Sequence, residues 1–223
     1  VILAAAVCPH PPSLVPQLAP GTDDELGWLR EACAAAVRTV LDTGPGRIVV
    51  IGPGDHGVAL TADLDESAGG TLAAYGVDVR AGGADVRLPL SLTIGAWLLD
   101  AAGWHGPRTY STGRPDVSGD VGLLVMADGT ISRSVKAPGF FDERAEAYDG
   151  AIAAALRDGD PTALAAVDPH LGAELGAAGV PALLTLAALT EGAAVTAHLR
   201  HDDAPLGVGY VVADWLLREC GHA

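Results

Sequence analysis

Val1 to Val7 is apolar without a break, and Arg47-Ile48-Val49-Val50-Ile51 is a second such run. Short apolar runs of this kind read as strands buried on both faces of a sheet. What lies between them constrains the fold further. The prolines Pro9, Pro11, Pro12 and Pro16 stop the first run, and Thr22-Asp23-Asp24-Glu25 has the form of a capping box with acidic residues suited to a helix N-terminus. Leu26, Leu29, Cys33, Val37 and Val40 then fall along one stripe of a helix reaching about Asp42, and Gly44-Pro45-Gly46 ends it. Strand, helix, strand at this spacing is a βαβ unit, so the two strands are expected to be parallel.

The rest of the chain extends this pattern. Residues 57–88 alternate weakly, carry many glycines and read as loop with short strand. Ser91 to Ala102 is an amphipathic helix, Asp120 to Met126 another apolar strand, and Asp128-Gly129 a turn pair. Asp142 to Arg157 reads as a helix, with further helical stretches at 161–167, 169–178 and 181–191. Ala193 to Leu199 and Leu206 to Val212 read as strands joined by a polar turn at Asp202-Asp203. The expectation is one α/β domain over residues 1–223, with a central, largely parallel (mixed) sheet flanked by helices. A chain of 223 residues with 49% apolar and 18% charged residues can bury a substantial core and is not a disordered one. Its net charge of −15 argues against nucleic-acid binding, which needs clustered Lys and Arg. No apolar run is long enough for a membrane span, so the expectation is a cytoplasmic protein. Cys8, Cys33 and Cys220 are odd in number and have no CxxC spacing, which speaks against a disulfide framework or a zinc ribbon.

Ligands in open α/β sheets bind beyond the carboxyl ends of the strands. Two histidines are placed there: His10, in Cys8-Pro9-His10-Pro11-Pro12, after the first strand, and His56, in Gly52-Pro53-Gly54-Asp55-His56, after the second. Neutral imidazole is a common ligand of iron and zinc, and two histidines with a carboxylate make the facial triad of non-haem Fe(II) enzymes. A single loop histidine is more often bonded to backbone or water; the matched placement of the two is what singles them out. His170 and Glu174 are spaced i, i+4 and would share a helix face, as a surface pair or as ligands. Glu174, in an otherwise apolar stretch, is the best third ligand. His105, His198, His201 and His222 sit in turns or the tail and are weaker candidates. Cys8 and His10, two apart in an extended segment, should point to opposite faces, which places Cys8 in the core. Neither Gly-Pro-Gly segment has the Lys of a P-loop or the spacing of a dinucleotide fingerprint, and no Gly-x-Ser-x-Gly elbow is present.

Four ordered segments resemble those of the class III extradiol ring-cleavage dioxygenases, specifically the catalytic LigB-type subunit, whose superfamily includes the MEMO-like proteins. They are the strand-then-His-Pro opening at 1–12, strand-Gly-Pro-x-x-His at 47–56, Pro-Gly-Phe-Phe-Asp-Glu-Arg-Ala-Glu-Ala-Tyr-Asp at 138–149, and Ala-Pro-Leu-Gly-Val-Gly-Tyr at 204–210. The resemblance implies Fe(II) held by His10, His56 and, at or near the carboxylate position, Glu174. A catechol-like aromatic would chelate that iron beside O₂ and be cleaved next to its diol. It also implies association with a small partner subunit or with a second copy. In two places the chain departs from the family pattern. Arg133 stands where the family has an acid–base histidine, and a guanidinium cannot shuttle protons at neutral pH, though it could hold an anionic substrate group. The third-ligand cysteine of MEMO-like proteins would fall near Leu175. A MEMO-like metal-binding or scaffold protein without ring cleavage is therefore the second expectation. The third is a zinc hydrolase in which Asp55 or Glu174 activates water.

Overall fold

A computed structural model describes residues 1–21, 23–55 and 59–218, with side chains described from Leu26 onward in the first long helix. The capping-box side chains, His56, Cys220 and His222 therefore lie outside the described residues.

The first apolar run forms β1 (Ile2–Cys8), the stripe forms α1 (Asp23–Leu41), and the second run forms β2 (Arg47–Ile51). A small three-stranded sheet follows, built from β3 (Ala68–Thr71), β4 (Arg80–Gly82) and β5 (Asp85–Val86) in the order β4-β3-β5. Then come α2 (Leu90–Ala101), β6 (Arg108–Ser111), β7 (Val121–Met126), α3 (Arg144–Asp158), α4 (Pro161–Ala165), α5 (Pro169–Glu174) and α6 (Val180–Leu189). The hairpin of β8 (Ala194–Asp203) and β9 (Tyr210–Arg218) closes the fold. The main sheet has six strands in the order β6-β2-β7-β1-β9-β8. Strands β6, β2, β7 and β1 pair in parallel, whereas β9 is antiparallel to both β1 and β8. The sheet is thus mixed.

Period-two alternation sorts the strand residues onto two cores. Ala4, Ala6, Cys8, Ile48, Val50, Leu124 and Met126 pack with α1 and α2 on one face, and Ala5, Val7, Val49, Ile51, Leu123 and Val125 with α3, α4 and α6 on the other. Small residues let the helices approach closely. A Cβ on Gly122 of β7 would lie 2.5 Å from Cγ1 of Val40, and one on Gly95 of α2 would lie 2.6 Å from Cγ1 of Val50. Cys8 is fully buried against α1, as the pattern predicts.

Two sequence expectations need correction. Asp202 and Asp203 belong to β8, and the reversal lies between it and Tyr210, the first residue of β9. Strand β8 is at the sheet edge and alternates half-buried with exposed positions, so its polar residues mark a solvent face rather than a turn. His198 and His201 accordingly sit within β8. The opposite edge strand, β6, had no apolar run to announce it, since its residues are Arg108-Thr109-Tyr110-Ser111.

Candidate active-site cleft

Beyond the carboxyl ends of β1 and β2 lies a cleft of about 820 Å³. One wall comes from the segments around His10 and Asp55, a second from Thr71 at the end of β3, Tyr75 in the turn that follows it, and Ser91 and Thr93 of α2, and a third from Pro169 to Pro181. Asp55 and Ala59 both line it. Asp55 has a structural task as well: its Oδ1 accepts the backbone N–H of Leu90 at 3.0 Å, which caps the otherwise unsatisfied start of α2.

His10 is 8% exposed. The chain around it is pinned from below, because Ala127 N–H donates to the carbonyl of Cys8 at 2.8 Å and His10 N–H donates to Asp128 Oδ1 at 2.7 Å. Its Nδ1 lies 3.6 Å from the same Oδ1, beyond hydrogen-bond reach, and has no hydrogen-bond partner among the described residues. A buried polar atom without a partner is costly and calls for an explanation.

The loop that carries Asp128 is itself anchored by a residue that the sequence did not single out. Asp149 of α3, 6% exposed, accepts the Thr130 N–H at 2.9 Å, the Thr130 hydroxyl at 2.8 Å and Arg133 Nη1 at 3.1 Å. Gly129 and Gly209 make room for it, since a Cβ on either would come within 2.7 Å and 2.3 Å of its carboxylate oxygens. Gly129 N–H donates to the Gly209 carbonyl and Gly209 N–H to the Thr130 carbonyl, both at 2.8 Å. Two of the motif segments, 138–149 and 204–210, and the loop 129–133 therefore converge on one buried carboxylate.

Two of the expected site residues make contacts outside the cleft. Arg133 is bound to Asp149, with Glu146 at 4.0 Å, and its backbone N–H donates to Gly207 at 3.0 Å. It braces the loop and does not line the cleft. Glu174 points instead to Arg144, with Oε2 3.0 Å from Nη1, and its side chain is 61% exposed. Arg144 also grips Asp142, holding that carboxyl down to about 2. Neither Glu174 nor His170 lines the cleft, although Pro169 and Ala173 do. His170 is exposed, its backbone N–H bonded to Asp168, the residue that caps α5. Among the described residues no three His, Cys, Asp or Glu side chains come together as a metal-binding group. The structure places His10 beside Asp128, with Asp55 in the same cleft; His56 lies outside the described residues. No described helix is long and apolar enough to cross a membrane.

No protein-family model matches this sequence, and no curated protein matches it either. The site must therefore be read from its own chemistry.

Proposed function

We propose that the chain is a metal-dependent protein of the extradiol type, a non-haem Fe(II) dioxygenase acting on a catechol-like aromatic. One observation carries the reading: His10 is buried in the wall of a roomy, largely apolar cleft at the carboxyl ends of β1 and β2, the parallel strands on either side of β7, and its Nδ1 has no hydrogen-bond partner among the described residues. Imidazole with nearby carboxylates is donor chemistry that fits a divalent cation. His10 and His56 would hold it, and a carboxylate would complete the set. Asp128 and Asp55 are closer to that role than Glu174, which Arg144 engages. Bound Fe(II) would supply a centre to which two adjacent hydroxyls and O₂ can both bind. The chain's own contribution is to fix His10 through Asp128 and the proline-rich segment, and to surround an aromatic ring with apolar side chains that thin out water.

A specific observation favours the second reading, a metal-binding protein without ring cleavage. The position expected to move a proton holds Arg133, whose charge is spent on Asp149. The test is an anaerobic Fe(II) titration followed by oxygen-electrode assays over a panel of catechols. The proposal expects about one Fe(II) per chain, loss of binding in His10→Ala and His56→Ala, and O₂ uptake matched to loss of the diol. Unchanged iron uptake in both variants overturns it; stoichiometric iron with no O₂ uptake selects the second reading.

A further inference from the structure

The described lining of the cleft contains no Lys and no Arg. None is hidden elsewhere, because all thirteen Lys and Arg of the chain fall among the described residues. Arg133 and Arg144, on the segments that lead from β7 into α3, are committed to other partners, Arg133 to Asp149 and Arg144 to Asp142 and Glu174. What the described lining does offer is one carboxylate, Asp55, the imidazole of His10, the phenol of Tyr75, and the hydroxyls of Thr71, Ser91, Thr93 and Thr112. The last four are largely occupied: Ser91 and Thr93 donate to backbone carbonyls of 53, 88 and 89, and Thr71 and Thr112 accept backbone N–H groups. An anionic group entering here would lose water, meet no cation on the protein and face both Asp55 and the field of a chain carrying −15. The rest of the wall is apolar, including Leu88, Leu90, Val180 and Pro181, and a volume of about 820 Å³ lies in the upper part of the range for small-molecule pockets. A single ring would leave much of that wall wet.

We propose that the cleft selects uncharged aromatic diols extended by a second ring or a comparable apolar group, and rejects aromatic carboxylates. This rests on the reading of the cleft as the diol site but does not need iron for its selectivity. Attraction of a carboxylate would have to come from the protein beyond the diol-binding end, and there is no cation there to provide it.

The test measures anaerobic binding of catechol, 2,3-dihydroxybiphenyl and 3,4-dihydroxybenzoate to the full chain by calorimetry, with and without Fe(II), beside O₂ uptake. The expected order is the biphenyl diol about tenfold tighter than catechol and the benzoate about tenfold weaker. Ala178→Lys places a cation at an exposed position of the cleft lining that is not itself a candidate ligand. It should recover about tenfold in benzoate affinity and leave catechol unchanged. Benzoate binding as tightly as catechol overturns the proposal, as does a biphenyl diol no tighter than catechol, an unresponsive Ala178→Lys, or no binding of any probe. The two ideas separate cleanly. The expected order without any O₂ uptake removes the dioxygenase and keeps the selectivity, whereas iron-dependent uptake with a preference for the benzoate does the reverse.

Discussion

Asp149 receives three donors in a nearly dry setting, and its removal would leave Thr130 and Arg133 without their acceptor. Breaking a buried charged network by deleting one partner typically costs about 3–5 kcal/mol. Asp149→Ala is therefore expected to lower the unfolding free energy obtained from urea titration by that amount, and to loosen the loop that presents Asp128 to the His10 N–H; a change under about 1 kcal/mol would mean that the network carries little. Glu174→Gln should behave in the opposite way. Its ion pair with Arg144 is exposed and worth little, so stability should barely change and Fe(II) binding should be unchanged. Loss of iron in this variant would return Glu174 to the ligand set. The contrast between these two residues shows what the sequence could and could not disclose. His10 was legible because a proline-flanked histidine directly follows a buried strand. The setting of Glu174 was not legible, because an apolar neighbourhood in sequence does not give a helix residue's facing: Leu175 turns to the core and Glu174 turns outward. Asp149 escaped notice because nothing in a helix pattern tells a buried carboxylate from a solvated one.

At the scale of elements, β1, α1, β2, α2, β7 and α3 could all be read, because each carries an apolar run or stripe that tertiary packing then uses. At the edges, β8 was read only as far as Leu199, where its polar, solvent-facing positions begin to dominate, and β6 was missed because its buried residues are Arg108, Tyr110 and Ser111 rather than an apolar run. The β1–α1 contact has a consequence for pH. Burial, and then the neighbouring Cys8, raise the Cys33 thiol well above its ordinary value. An acid whose folded pKa is raised stabilises the fold fully below its unfolded pKa, near 8.5 for a thiol, and that contribution is lost as pH rises toward the folded value. Stability measured by urea unfolding should therefore fall from about pH 8.5 upward, and Cys33→Ala should flatten the slope while lowering the plateau through lost packing. An identical slope in the variant would show that Cys33 is not responsible. By the same burial, the peptides carrying Cys8 and Cys33 should resist iodoacetamide at pH 8 in the native protein and react after unfolding, read by mass spectrometry.

Over the whole molecule, charge works against the packing. Twenty-eight Asp and Glu face thirteen Lys and Arg, so 28 − 13 = 15 carboxylates have no basic partner to spare. Several basic residues are already engaged in exposed or part-exposed pairs, among them Arg47 with Asp116 and Arg157 with Asp158. Such pairs are worth little and are screened by salt. Repulsion among the excess carboxylates acts over longer distances and is screened more completely, as the Debye length falls from about 30 Å at 0.01 M to about 8 Å at 0.15 M. Net self-repulsion destabilises the compact state, so relieving it should outweigh the loss from surface pairs. Raising NaCl over that interval at pH 7.5 is expected to increase the melting temperature by roughly 2–4 °C, the shift that about 1 kcal/mol produces in a chain of this size. The increase should shrink toward pH 4.5, near the sequence pI of about 4.6, where the carboxylates begin to protonate and the net charge approaches zero. A melting temperature that falls with salt at pH 7.5 would mean that the ion pairs, the Arg133–Asp149 and Arg200–Asp214 contacts foremost, dominate the electrostatics of this fold.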